Sequence, residues 1–376
     1  MGRTLRGKAG VLLSAGVLAA LSLLGTFAQG QDQAPRLPPA PANAPPPSLQ
    51  SIADPGYDAA LAACKNPPRK MRPIVWPASG PPPRAYEVKG IPGVIAAGQR
   101  WKFLWQAAGN NGDGIVSTRD GGLLIAQNDN SDVVKLDKNG RAKVIYRDTH
   151  TSGALSINAK GELFAVERGL HPRIEELSPR RRVLADHYAN GTLDCIGGVM
   201  NDLTAARNGG VYFSDTRFGE PMGGVYYVSP TGAVTEYGRN LLTNGIILSP
   251  DEKKLYVTNG DSVVVFDVQA DGSLANQREF AKLPPKTSGD GCAVDADGRL
   301  YVSTNPGVQV FAPDGKYLGL IPSPREEISI SFGGPDRRTL YILARGAEDA
   351  NGKQIANAAQ VYSIRMIAQG PKNRPK

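Results

Sequence analysis

Four residues with oxygen donors, Asp113, Asn201, Asn244 and Asp290, share one phase: each stands ten or eleven positions before a short β-rich run. Two carboxylates and two amide carbonyls, brought together, make a hard oxygen site carrying about two negative charges. Such a set suits one divalent cation, calcium in preference to magnesium or manganese, with water filling the remaining positions. Zinc is disfavoured because the set contains neither His nor Cys. Taken singly, Asp113-Gly114, Asn244-Gly245 and Asp290-Gly291 read as tight turns. Their common phase, with Gly153 and Ile330 at the matching positions of the other two repeats, argues for a site instead. Buried carboxylates converging on one axis would also repel each other unless a cation were present.

The runs that set this phase are Leu123–Ala126, Leu163–Val166, Val211–Ser214, Leu255–Thr258, Leu300–Ser303 and Leu340–Leu343. Their starts are 40, 48, 44, 45 and 40 residues apart, a period that suits one four-stranded sheet per repeat. Second alternating strands such as Val263–Phe266 and Val308–Phe311 follow, then turns such as Pro313-Asp314-Gly315. A β-sandwich lacks so long a fixed period, and a β-helix has much shorter coils. The expected fold is therefore all-β, a six-bladed β-propeller of four-stranded blades around a central channel, occupying residues 85–368. Equivalent positions of the blades face the axis, so the four polar residues are expected to converge. Ring closure needs a strand from before the first repeat, either Gly93-Val94-Ile95 or Phe103-Leu104-Trp105.

The flanks and composition limit the class of protein. Arg3, Arg6 and Lys8 precede a charge-free apolar run from Ala9 to Ala28, and Ala28-Gln29-Gly30 offers a small-residue cleavage site. This predicts a signal peptide over 1–30, cleaved after Ala28 or Gly30, and a periplasmic or secreted protein. The alternative is an uncleaved anchor, since the run is nearly long enough to span a bilayer. Residues 31–84 read as a proline-rich linker and extension with a short helix around Tyr57–Ala63, and 369–376 as a basic tail. Loss of Arg3, Arg6 and Lys8 lowers the formal charge of +8 to about +5. The remaining basic residues are scattered except for Arg180-Arg181-Arg182, expected in a solvated hairpin turn, so no nucleic-acid partner is implied and no stable membrane span after cleavage. Of the three cysteines, Cys292 should be buried and free, leaving Cys64 with Cys195 as the disulfide pair.

The segments Val199-Met200-Asn201-Asp202-Leu203, Thr243-Asn244-Gly245-Ile246, Gly289-Asp290-Gly291 and Phe332-Gly333-Gly334-Pro335-Asp336 resemble the family of senescence marker protein, gluconolactonase and luciferin-regenerating enzyme. The resemblance covers about Gly112 to Gly346 and implies a calcium-dependent lactone hydrolase. It implies Asp290 as the base or water-positioning residue, Asn201 on the substrate side of the metal, and Asp113 and Asn244 as completing ligands. Three departures stand out. Asp113-Gly114-Ile115 replaces a Glu-Gly-Pro-like ligand, Val199-Met200 replaces an arginine found in sugar-lactone members, and Glu167-Arg168-Gly169 replaces Glu-His-Gly. The second argues for a lactone other than the usual sugar, and the third leaves a charge but not a base that titrates near neutrality.

His150, Glu167 and Arg168 are candidate substrate contacts, although a histidine in a loop is by default a surface residue. His171 and His187 look like surface residues. Asp215 and Arg217 fit a structural salt bridge better than contacts at the channel rim. No Gly-x-Ser-x-Gly nucleophile elbow occurs. An aryl-esterase or phosphotriesterase on the same metal, or a non-catalytic propeller with structural calcium, remain alternatives to a lactonase with a small lactone or ester substrate.

Overall fold

The computed structural model describes residues 48–71, 80–107, 112–218, 222–284, 287–372 and 376. The expected signal peptide and the linker up to residue 47 lie outside the described residues. Among the described residues, six antiparallel four-stranded sheets succeed one another, each ordered from the inside outwards. Their inner strands are Gly112–Ser117, Ser152–Ile157, Val199–Ala205, Thr243–Leu248, Gly289–Val294 and Glu327–Gly333. The six β-rich runs of the repeat are the second strands. The sixth blade takes its outermost strand, Lys102–Gln106, from before the first repeat, paired antiparallel with Gln354–Arg365. Of the two candidates for closure it is therefore the Phe103-Leu104-Trp105 segment that closes the ring, whereas Val94 and Ile95 pack in the core beside blades five and six.

Alternation of side chains along each strand fills the gaps between blades. Val211 and Phe213 point one way, into a cluster with Phe164 and Ile174 of blade two, while Tyr212 points the other way against Leu255 and Val257 of blade four. Inner and second strands are buried on both faces, which explains why the runs read as continuous apolar stretches.

Each inner strand carries a bulge near its start. In blade one Gly112 pairs with Gln127 and Ile115 with Ile125, so one extra residue is accommodated between them. The same irregularity occurs at Gly153, at Asn201-Asp202, at Asn244-Gly245, at Asp290-Gly291 and at Ile328. A bulge re-aims one side chain out of the pleat, here toward the axis. Blade six corrects one expectation: its axial position is Ile328, not Ile330. Pairing in blade six begins one step earlier, at Gly333 with Thr339, so Leu340 pairs with Phe332 where Leu123 pairs with Ser117, and counting back from the run stops two residues short.

The glycines after these bulges are needed because neighbouring blades nearly touch. A Cβ on Gly245 would lie 2.2 Å from the carbonyl oxygen of Asp290 and 2.8 Å from Cα of Gly291.

Residues 48–71 form a short 3₁₀ turn (Ser51–Ala53) and one helix (Tyr57–Ala62). They lie over the channel end of blades two and three, where Ile52, Tyr57, Leu61 and Met71 pack on Val199 and Leu170. The Cys64–Cys195 disulfide ties this extension to the connection between those blades, and Cys292 is buried and free. Asp215 and Arg217 are both buried, paired at 3.4 Å, and Arg217 also donates to the carbonyl oxygens of Arg69 and Ile196. They anchor the extension. Arg181 and Arg182 pair with Glu175 and Glu176 across their hairpin. Lys376, in the basic tail, is buried with its Nζ 2.7 Å from Asp202 Oδ1. No described helix is long and apolar enough to cross a membrane.

Gly245→Ala should lower stability by about 2 kcal/mol or more through backbone displacement, read as a drop of several degrees in thermal midpoint. Gly80→Ala, whose new Cβ would meet only ordinary contacts near 3.5 Å, should leave it unchanged.

The Asp215 carboxyl is pushed up to about 7 by burial, against the pull of Arg217. A carboxyl raised in the folded state stabilises at low pH and loses that contribution as pH climbs from the unfolded value near 4 to about 7. Chemical denaturation of wild type and Asp215→Asn from pH 4 to 8 should show the wild type losing stability relative to the variant across that window, by a few kcal/mol. A pH-independent difference would contradict the assignment.

Candidate functional site

The bulges of blades one, three, four and five bring Asp113, Asn201, Asn244 and Asp290 to one cavity at the axis, with Ile328 of blade six beside them. Gly153 of blade two adds no side chain. Its place is taken by the Arg168 guanidinium, which reaches in from the end of the second strand of that blade. A Cβ on Gly153 would fall 1.8 Å from Arg168 Cζ, so the missing side chain is what admits the arginine. Gln50 of the extension, Val199, Phe218 and Arg345 complete the lining, and the cavity measures about 40 Å³.

Arg168 is held on all sides. Its Nη1 pairs with Asp113 Oδ2, its Nη2 donates to both Oδ1 and the main-chain oxygen of Asn201, and its Nε donates to the Met200 carbonyl at 2.9 Å. Its own carbonyl accepts from the Ser51 amide at 2.7 Å, a direct link to the extension. The side chain is only 3% exposed. Asn201 continues the network: its Nδ2 donates to Asn244 Oδ1 at 2.8 Å and to Thr216 Oγ1 at 2.9 Å. Burial pushes the Asp290 carboxyl well above the usual carboxylate range, and the nearby Asp113 pushes it further, while Arg345 opposes the shift.

The donor chemistry of the four residues fits a hard divalent cation. They offer oxygen alone, and among the described residues no group of three or more His, Cys, Asp or Glu is placed to hold a metal. The expectation that repulsion at the axis demands a metal needs refinement, because Arg168 already supplies one positive charge there from within the chain.

The other candidate residues lie elsewhere. His150 contacts the Leu170 carbonyl through Nε2 at 2.7 Å and lines a separate surface hollow with Asp129, Asp132 and Arg173. Glu167 is buried against Arg173 and Glu175, away from the axis; burial and Glu175 raise its carboxyl. His171 meets Asp194 and His187 meets Asp186. Sequence reasoning missed Gln50, which nothing in the repeat could indicate because it precedes the propeller. It also missed Ile328 and Arg345, both of which belong to blade six.

Residues 147–345 match the SMP-30/Gluconolactonase/LRE-like region. A gluconolactonase of Zymomonas mobilis is 27% identical over 297 residues, covering 67% of this chain and 78% of that protein. Lactonase drp35 of Staphylococcus aureus is 32% identical over 265 residues, covering 66% and 73%. Among solved structures, the calcium-binding protein regucalcin from Agrobacterium tumefaciens shares the fold at a TM-score of 0.56, with 18% identity over 70% of this chain and 92% of that one. With the six blades and their bulged inner strands, these matches place the chain in the SMP-30/gluconolactonase/luciferin-regenerating-enzyme-like family.

Proposed function

We propose that the chain is an exported, calcium-dependent hydrolase that opens lactone rings. The observation that carries this reading is the convergence of Asp113, Asn201, Asn244 and Asp290 from four separate blades on one axial cavity, in a chain whose relatives are named gluconolactonase and lactonase. Bound to these four oxygens, calcium would supply the positive charge that polarises the lactone carbonyl.

The chain's own residues do the rest. Asp290 takes a proton from the attacking water and returns it to the ring oxygen as the acyl–oxygen bond breaks, leaving a hydroxy acid. Asn201 steadies the substrate side of the site, and Asp113 and Asn244 hold the opposite side. Export is supported by the apolar run after Arg3, Arg6 and Lys8 and by the Cys64–Cys195 disulfide, a bond that persists in oxidising compartments.

Substrate choice follows from the walls. A cavity of about 40 Å³ is far below the several hundred Å³ of an ordinary ligand pocket, so entry requires the Gln50 segment to shift. Buried Val199 and exposed Phe218 add carbon to the lining, favouring a lactone with an apolar substituent over a sugar.

A panel of aliphatic and sugar lactones and aryl esters, assayed with and without chelator, tests the proposal. Lactone turnover should disappear with chelator, return with calcium, and fall roughly 10²–10⁴-fold in Asp290→Asn. Calcium-dependent melting without turnover of any ester would instead leave a binding propeller with structural calcium.

A further inference from the structure

We infer that Arg168 is the resident cation of the axial site: its guanidinium holds the site together when no metal is bound and competes with calcium for the same oxygens. The inference rests on the metal reading above and adds a property of the site that the four ligands alone would not have.

Three observations converge on it. First, the guanidinium stands on the proposed ligands themselves, pairing with Asp113 Oδ2 and donating to Asn201 Oδ1. A guanidinium has five donors and no acceptor, so each lone pair it takes is withdrawn from a metal. Second, the position is built. Gly153 leaves the space, and the carbonyls of Met200 and Asn201 fix the orientation at 2.9 and 2.6 Å. An arginine that merely swept the channel mouth would not need three main-chain and side-chain acceptors from one bulge. Third, two cationic side chains, Arg168 and Arg345, already line the cavity beside Asp113 and Asp290. Adding a divalent cation beside a fixed guanidinium would place three positive charges within a few ångströms in a buried site, so calcium enters as the guanidinium withdraws.

The extension reaches the same place. Ser51 donates to the Arg168 carbonyl, and Gln50 lines the same cavity. The guanidinium and the covering segment therefore border the one cavity that calcium would enter.

Calcium binding by isothermal titration calorimetry, together with thermal melting of the metal-free protein, tests the competition without relying on turnover. Two variants are informative. Arg168→Gln removes the charge, and Gly153→Ala keeps the arginine but places a methyl group where the guanidinium sits. Both should bind calcium at least tenfold more tightly than wild type, and both should melt several degrees lower than wild type without metal, a loss that saturating calcium restores. If one variant fails to fold, the other still reports. Calcium affinity equal to or weaker than wild type in the folded variants would overturn the competition while leaving the metal reading intact. No calcium binding by wild type or either variant would overturn both.

Discussion

Everything in this structure answers to the requirement that charge brought to the propeller axis be balanced where it lies. Six inner strands approach one another so closely that a methyl group on Gly245 or Gly114 would strike the backbone of the next blade. Water has little room there, and an uncompensated carboxylate is costly. The bulges that turn Asp113 and Asp290 inward therefore commit the fold to supplying cations, and the chain supplies several. Arg168 answers Asp113, Arg345 lies near Asp290, and deeper in the channel Lys376 meets Asp202. These contacts tie blades one, two, three and the tail residue Lys376 to a common centre. The axis is thus a source of cohesion as well as a site, and chemistry carried out there draws on groups that also hold the ring together.

The departures from the family pattern become intelligible in the same terms. An arginine at the position of Val199 would lie beneath Ile52, Tyr57, Leu61 and Met71, where its charge would be buried among carbon. Valine instead gives the extension an apolar seat. Arg168 reaches the axis from blade two because Gly153 has no side chain to block it. The disulfide at Cys64 and the Arg217 contacts with Arg69 and Ile196 hold the far end of the extension. The part over the axis is held by main-chain hydrogen bonds from Ser48 and Ser51 and by hydroxyl contacts from Ser131 to Ser48 and from Thr151 to the Leu49 carbonyl.

Much of this was legible in the sequence because propeller blades repeat. The period of the apolar runs reported the number of sheets, and the phase of Asp113, Asn201, Asn244 and Asp290 reported the axis, since each bulge lies a nearly constant distance before its second strand. The phase slips where a ladder length varies: one extra pair, Gly333 with Thr339, puts the axial residue of blade six at Ile328 and not at Ile330. It was blind to whatever does not repeat. Gln50 precedes the propeller, and Lys376 follows it. Arg168 was singled out as a break in the family motif, but its direction depends on a glycine fifteen positions earlier on a neighbouring strand. Periodicity carries no information about such a pairing.

Where the extension covers the site, Gln50 and the exposed Phe218 border the mouth of the cavity, beside the carboxylates and amides of the axis. Binding energy from an apolar part of a ligand is gained at the mouth, and polar demands are met only at the axis. A ligand able to displace the covering segment must offer enough apolar surface to replace the contacts it breaks, at about 25 cal/mol per Å² buried. A small polar lactone has little such surface to offer, whereas an alkyl or aryl substituent has more. Selectivity in this chain therefore resides as much in the residues before the first blade as in the four oxygens at the axis. Under the proposed reading, the propeller supplies the groups that act on the bond and the extension governs which molecules reach them.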